Sequence, residues 1–223
     1  TAGVQAGDIL ELYENGTLIA TITLAAGDTT WTYSLSGLND GVTYQYTVRI
    51  VDIAGNAGSM SPAFTFTVDT TAPTTTVTID SYTDNIGIYQ GDNNTNTTTD
   101  DTTPLLNGTL SSALSSGEVI EIYDDSVTLL GVAVVDATGT GWSFQLPSLS
   151  NGSYTYYAVV VDAAGNHGTN SANFTLTIDT LAPTQTTTID SFTDDLGTNI
   201  GDYPSGTHTD DTAPRLNGTI SGG

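Results

Sequence analysis

IVDIAGN at residues 50–56 and FTFTVDTTAPTTTVTIDSYTDNIG at 64–87 return as VVDAAGN at 160–166 and FTLTIDTLAPTQTTTIDSFTDDLG at 174–197. Asp69 recurs as Asp179 and Asp80 as Asp190, a spacing of 110 residues, and Trp31 recurs as Trp142, a spacing of 111. A fixed period of this length indicates tandem domains joined end to end, each burying its own core. It argues against one enzyme fold with a unique site.

Outward from that repeat, the 223 residues hold two modules' worth of sequence, each the size of a small β domain. The 25 acidic residues face only Arg49 and Arg215, with no lysine, giving a net charge of −23. Such a surface repels phosphates and anionic lipid heads, so nucleic acid and membrane surfaces are not expected partners, and divalent cations are. The absence of cysteine removes disulfides and thiolate metal sites, and without lysine no Lys–Asn isopeptide crosslink can form. Whatever stiffens the chain is therefore non-covalent. No apolar run approaches the length of a membrane span, and no charged and apolar leader precedes Thr1, so a targeting signal is expected outside this segment.

Short alternating runs rich in Thr, Val, Ile and Tyr, bounded by Gly, Asn, Asp and Pro, read as strands, and no stretch keeps a helical period. The fold class is all-β. Strands are expected at 74–79, 104–110, 118–124, 129–136, 141–147, 153–162 and 173–179. Alternation selects a buried face: Ile120 and Ile122; Trp142 and Phe144; Tyr154, Tyr156, Ala158 and Val160; Phe174, Leu176 and Ile178. The earlier copy supplies Leu10, Leu12, Trp31, Tyr33, Tyr44, Tyr46, Val48, Ile50, Phe64, Phe66 and Val68 at matching places. Both tryptophans are read as core because each sits at the phase of this pattern.

Leu38-Asn-Asp-Gly41-Val-Thr-Tyr44 and Leu149-Ser-Asn-Gly152-Ser-Tyr154 resemble the tyrosine corner of fibronectin type III and related Ig-like sandwiches. That resemblance implies a strand order A, B, C, C′, E, F, G. More widely, TDDTTPLLNGT, VIEIYDD, GWSFQLPSLSNGSYTYYAVVVDAAGN and FTLTIDTLAP are similar to the bacterial Ig-like repeats of giant RTX-type biofilm adhesins. On this reading residues 1–69 are a partial module holding strands C to G, 70–183 a complete module, and 184–223 a partial module holding strands A and B.

The segment between strands A and B is long and acidic, with Asp80, Asp84, Asn85, Gly87, Gly91, Asp92, Asp100 and Asp101, echoed by Asp190, Asp194, Asp195, Gly197, Gly201, Asp202, Asp210 and Asp211. Loops of this length in a compact module are functional or disordered. Calcium supplies a reason for order, because it takes six to eight oxygens and relieves carboxylate repulsion. The competing reading is a solvated acidic turn. Strand polarity also places Asp162 and Asn166, in the turn between strands F and G, beside the incoming linker from Asp69 to Pro73. These groups either share an ion, as the resemblance implies for calcium-stiffened linkers, or hydrogen-bond only their own turn. Asp52, Asn56 and Asp179 are the corresponding half-sites. Pro73 and Pro183 fix φ just after the last strand and favour an extended approach to the next module.

His167 and His208 stand singly in polar loops, and no catalytic triad, metal-binding His pair or phosphate loop emerges, so no enzyme activity is expected. Seven Asn-x-Ser/Thr triplets, Asn15 and Asn107 among them, match the glycan acceptor pattern, though Asn-Gly also serves turns. The expected role is an extender in a long secreted or cell-surface bacterial protein, stiffened by Ca²⁺. Its partners are then neighbouring modules of the same or like chains, with any adhesive ligand bound outside this segment. Two alternatives are a self-assembled filament that exchanges strands between chains, and a carbohydrate-binding module with Tyr82, Tyr89, Phe192 and Tyr203 as an aromatic platform.

Overall fold

The structure is a computed structural model that describes residues 3–222. It divides into two units, residues 1–178 and 179–223. In the first, four strands form one antiparallel sheet: β1 (Ile9–Glu14), β2 (Thr17–Thr23), β3 (Thr43–Val51) and β4 (Phe64–Thr67), in the order β2-β1-β3-β4. The β1–β2 hairpin turns at Asn15-Gly16, where φ is +49° and +81°, the left-handed pair that a tight hairpin demands and that Asn-Gly tolerates best.

The same unit continues with β5 (Val77–Asp84), β6 (Gly91–Asn93), β7 (Thr97–Thr99), β8 (Leu105–Leu110), β9 (Val119–Asp124), β10 (Leu129–Val132), β11 (Val134–Val135), β12 (Gly141–Gln145), β13 (Gly152–Val161) and β14 (Phe174–Ile178). They make two five-stranded sheets, β11-β12-β8-β5-β6 and β10-β9-β13-β14-β7. Side chains from both sheets meet in one core: Tyr82, Leu106, Leu110 and Trp142 from the first, and Ile120, Ile122, Tyr156, Ala158, Val160, Phe174, Leu176 and Ile178 from the second. The Tyr82 and Phe174 rings meet edge to face across it, with centroids 6.3 Å apart. This is the Ig-like sandwich that the alternation and the corner implied. The corner itself forms in both copies: the Asn39 N–H donates to the Tyr44 hydroxyl at 2.8 Å, and the Tyr154 hydroxyl donates to the Ser150 carbonyl at 2.9 Å.

Two strand expectations need correction. Strand A starts at Val77 and runs on to Asp84, with a register shift between Ile79 and Ser81 that moves the inward phase from Val77 to Tyr82 and Asp84; Tyr82 is fully buried and its hydroxyl accepts from Thr97 at 3.0 Å. The region expected to be irregular then adds β6 to one sheet and β7 to the other, β7 running parallel to β14. The single strand expected at 129–136 is two, since β10 pairs with β9 in one sheet and β11 with β12 in the other. The switch falls at buried Ala133, just after Gly131, whose φ of +155° brings the backbone against the Phe144 ring.

In the second unit β15 (Ser191–Asp194), β16 (Gly201–Tyr203) and β17 (Arg215–Asn217) form a sheet ordered β16-β15-β17, the counterpart of β6-β5-β8. Burial is where the copies part. Trp142 is 3% exposed and Phe174 3%, but Trp31 is 43% and Phe64 69%. The expectation that Trp31, Tyr33, Ile50 and Phe64 are core therefore fails: no strands equivalent to β5 and β8 cover their face within this unit, so the apolar pattern is present without the layer that would bury it.

Candidate functional site

The most elaborately held stretch is the linker that leaves β4 and enters β5. Antiparallel pairing of β3 with β4 puts Thr43 opposite Thr67, which carries the corner preceding β3 to the start of the linker. There the Gly41 N–H donates to the Val68 carbonyl at 2.8 Å. Asp40 closes over the linker: one carboxylate oxygen accepts the Thr70 N–H at 2.5 Å and the other accepts the Thr71 hydroxyl at 2.6 Å. The Thr71 N–H also caps the Asp69 carboxylate at 3.1 Å.

The following module grips the other side. In the turn after β13, the Asp162 carboxylate accepts from the N–H groups of Ala164 and Asn166 at 2.9 and 2.8 Å, and from the Asn166 amide at 2.9 Å. The same Asn166 amide nitrogen donates to the Asp69 carbonyl at 3.1 Å. A neutral amide thus ties an Asx turn of one module to the linker from the last. Pro73 packs on Gly168, where an added Cβ would meet its carbonyl oxygen at 3.0 Å. Hydrogen bonds to the charged form hold two carboxyls below their ordinary range: Asp40 by the Thr71 hydroxyl and the Thr70 N–H, Asp162 by the Asn166 side chain and backbone. Asp52 and Asn56 repeat the turn in the first module, at 2.7 and 2.9 Å, with Asp52 held low for the same reason.

The acidic segment between strands A and B resolves into one buried pair and several exposed groups. Asp84 and Asp101 are 4% and 1% exposed. Thr99 lies between them, donating its hydroxyl to Asp84 at 2.6 Å and accepting the Asp101 N–H at 3.0 Å. The Ile86 N–H serves the other Asp84 oxygen at 2.9 Å. Asp101 takes the Thr103 N–H at 2.7 Å and, at 3.4 Å, that of Asn85. Asp100 is exposed, and its carboxylate fills the space a side chain at Gly87 would need; Gly87 also has φ +69°, in the left-handed region that favours glycine. Asp80 is exposed on β5, and Asp92 on β6 accepts the Thr83 hydroxyl at 2.6 Å.

The second unit repeats this arrangement. Asp194, 3% exposed, accepts the Thr209 hydroxyl at 2.6 Å and the Leu196 N–H at 3.1 Å, while Asp211 accepts the Ala213 N–H at 2.8 Å and the Asp195 N–H at 3.5 Å. Asp202 takes the Thr193 hydroxyl, and Asp210 lies against Gly197. Asp190 is exposed, and exposed Asp179 caps the Leu181 N–H at 3.0 Å.

As a fit test for an ion, every oxygen of Asp84, Asp101 and Asp162 accepts a hydrogen bond, for Asp162 from its own turn and for Asp84 and Asp101 in part from across the segment, from Thr99 and Asn85. Among the described residues no group of three or more His, Asp or Glu side chains is arranged to hold a metal. The sixteen expected ligands thus fall into carboxylate pairs and single groups. Sequence reasoning missed Asp40. Its signal was the corner motif, since the residue before the corner glycine lies across the sheet from the end of strand G. Among the platform candidates Tyr82 is buried at 0% exposure and cannot stack on a ligand; Tyr89 is 84% exposed, and Phe192 packs on Tyr203 at 5.8 Å.

A repeated Ig-like sandwich with a hydrogen-bonded linker defines a class of modular, array-forming proteins. The chain belongs to the bacterial Ig-like domain family, whose model matches residues 1–70 and 72–180. A curated relative, Endoglucanase B of Cellulomonas fimi, is 37% identical over 129 residues, which is 56% of this chain and 12% of that protein. Similar solved structures include the BSP domain of a biofilm-associated protein, at 16% identity with TM-score 0.29, covering 78% of this chain and 25% of that one. Another is described as a Ca²⁺-stabilized adhesin that helps an Antarctic bacterium reach out and bind ice, at 22% identity with TM-score 0.35, covering 83% and 44%.

Proposed function

We propose that the chain is a structural extender segment of a long secreted or cell-surface bacterial adhesin. Its modules set a distance, carry no catalytic role, and leave ligand binding to domains elsewhere. The observation that carries this reading is the linker held from both sides, by Asp40 of one module and by Asn166 of the next. Five residues from Asp69 to Pro73, with a proline fixing φ at the end, give little freedom to bend even before those contacts are counted.

Calcium is the second part of the proposal. The Asp84/Asp101 and Asp194/Asp211 pairs, and Asp162 with Asp69 at the junction, each offer two carboxylates, fewer than the six to eight oxygens calcium takes. The rest would come from backbone carbonyls and water. The charge of −23 supports an ion that lowers self-repulsion. Small-angle scattering and thermal melting of the chain in calcium and in chelator test both parts. A longer maximum dimension and a higher midpoint in calcium are expected, with Asp40→Ala and Asn166→Ala bending the junction in either condition. Identical curves with and without calcium would remove the ion, and an unchanged maximum dimension in both variants would remove the stiff linker.

A second reading has one observation in its favour. The match to Endoglucanase B occupies 12% of that protein, so the same modules would equally serve as spacers within a secreted polysaccharide-degrading enzyme.

A further inference from the structure

The sheet β10-β9-β13-β14-β7 of the complete module carries two tyrosines on its outer face. Tyr123 on β9 lies directly opposite Tyr157 on β13 in the antiparallel ladder. Their rings stack nearly parallel, with centroids 5.2 Å apart and 7° between the planes. The neighbours Ile122 and Ala158, both 0% exposed, point into the core, which leaves the two rings half-buried on the opposite face. The Tyr123 hydroxyl donates to the carboxylate of Glu121, two residues back on the same face, at 2.6 Å. That bond, together with burial, pushes the Tyr123 phenol up to about 12. The proton therefore stays on the ring at neutral pH, with a carboxylate in place to take it when an electron is withdrawn.

The first module supplies an internal comparison. Tyr13 donates to Glu11 at 2.6 Å in the same way, but Thr47 rather than a tyrosine stands opposite it, and the Arg49 guanidinium lies 5.4 Å from the ring centroid. Two other tyrosine pairs, Tyr44 with Tyr46 and Tyr154 with Tyr156, each lie along one strand with centroids 6.4 Å apart, and Tyr44, Tyr46 and Tyr156 are buried. Among the described residues, Tyr123 and Tyr157 alone combine a close cross-strand stack, access from outside and a carboxylate on the phenol.

We propose that Tyr123 and Tyr157 are a site of oxidative coupling, at which hydrogen peroxide acting through a one-electron peroxidase joins the two rings into a dityrosine link between β9 and β13. Each phenol loses one electron and one proton, that of Tyr123 passing to Glu121. The two phenoxyl radicals then form one carbon–carbon bond between ring carbons ortho to the hydroxyls. The hydrogen on each of those carbons shifts to its phenol oxygen as the rings regain aromaticity. Two electrons and two protons leave in all, and the peroxide takes them up to become two waters. The rings pivot out of their stack to bond, which their half-buried outer position allows. Tyrosine coupling is a covalent route still open to a chain with neither cysteine nor lysine. The link closes a loop in the unfolded chain and stabilises the module as a disulfide does.

The test treats the intact 223-residue chain, at high dilution, with peroxidase and hydrogen peroxide. Single chains are expected to lose the mass of two hydrogens, to gain dityrosine fluorescence, and to show Tyr123 joined to Tyr157 on fragment mapping, with a raised melting midpoint. Tyr157→Phe keeps the ring and the stack but forms no phenoxyl radical, and is expected to abolish the link within the chain. Tyr89→Phe, at a position 84% exposed, is expected to leave it unchanged. Glu121→Gln, which accepts a hydrogen bond but takes no proton, is expected to slow coupling several-fold without changing which residues are joined. Single chains of unchanged mass, a link mapped to other tyrosines, an undiminished yield in Tyr157→Phe, or an unchanged rate in Glu121→Gln would each overturn the proposal.

Discussion

Gly108 sits in the middle of β8 with β5 on one side and β12 on the other, and the complete module depends on its having no side chain. A Cβ there would stand 2.5 Å from Cε2 of the Trp142 indole, and closer still to the Thr78 carbonyl oxygen. An ordinary Cβ contact begins at 3.4 Å, so the ring would have to retreat by about 0.9 Å into a core where Leu106, Ile120 and Ile122 are all 0% exposed. The carbonyl belongs to the backbone of β5, and it can give way only by opening the β5–β8 ladder. Overpacking a filled core costs about 1 to 3 kcal/mol, and with a rigid obstacle on one side Gly108→Ala belongs at about 3 kcal/mol. For a domain of this size that lowers the melting midpoint by roughly 12 °C, at about 4 °C per kcal/mol. The assay is thermal unfolding followed by Trp142 fluorescence in a Trp31→Phe background. Adding Trp142→Phe is expected to recover part of the loss, since it relieves the ring clash but not the clash with Thr78. A midpoint within about 2 °C of the parent would show that the β5–β8–β12 packing described here is wrong.

Trp142→Phe alone is expected to be mild, on the order of 1 kcal/mol, because the indole N–H is buried without a hydrogen-bond partner and no bond is lost with it; a loss near that of Gly108→Ala would contradict this. Residues 70–179 expressed alone are expected to melt cooperatively, whereas 1–69 are not, their apolar face lacking its covering strands; a sharp transition from 1–69 would refute the strand reading. On the acid side, Asp40 and Asp162 have folded pKa values held below the ordinary range. Their contribution is present above the unfolded carboxyl pKa of about 3.9 and is lost as pH falls through the lowered values. Scattering is therefore expected to show the junction loosening only below about pH 4, and loosening between pH 5 and 7 would speak against it. On the alkaline side, burial and Glu14 push Tyr46 up to about 12, and Glu121 with burial does the same for Tyr123. That stability is complete below the ordinary tyrosine pKa of about 10 and is lost as pH rises toward 12, readable as phenolate absorbance appearing together with unfolding.

The sequence by itself determined the period, the all-β class and the inward faces of β9, β12, β13 and β14, because these follow from local alternation and from turn residues that the chain carries with it. It did not determine that of β5, where a register shift turns Tyr82 inward. Asn15-Gly16, the two corner motifs and the runs through β9, β13 and β14 needed no knowledge of distant neighbours. Only the tertiary structure decided which of those inward faces are covered. Trp31 and Trp142 occupy the same phase of the same pattern, yet one is exposed and the other buried, since burial depends on a second layer supplied by residues far away in the chain. The acidic groups divide in the same way. Composition announced that carboxylates gather between strands A and B, but whether two of them meet, and which donors reach them, was set by how β5, β7 and β14 assemble. Asp84, Thr99 and Asp101 are brought together by that assembly, and Asp40 and Asn166 reach the linker only because antiparallel strands return to the same pole. Hydrogen bonds act within about 3 Å, a range at which sequence position says little and the folded path of the backbone says nearly everything.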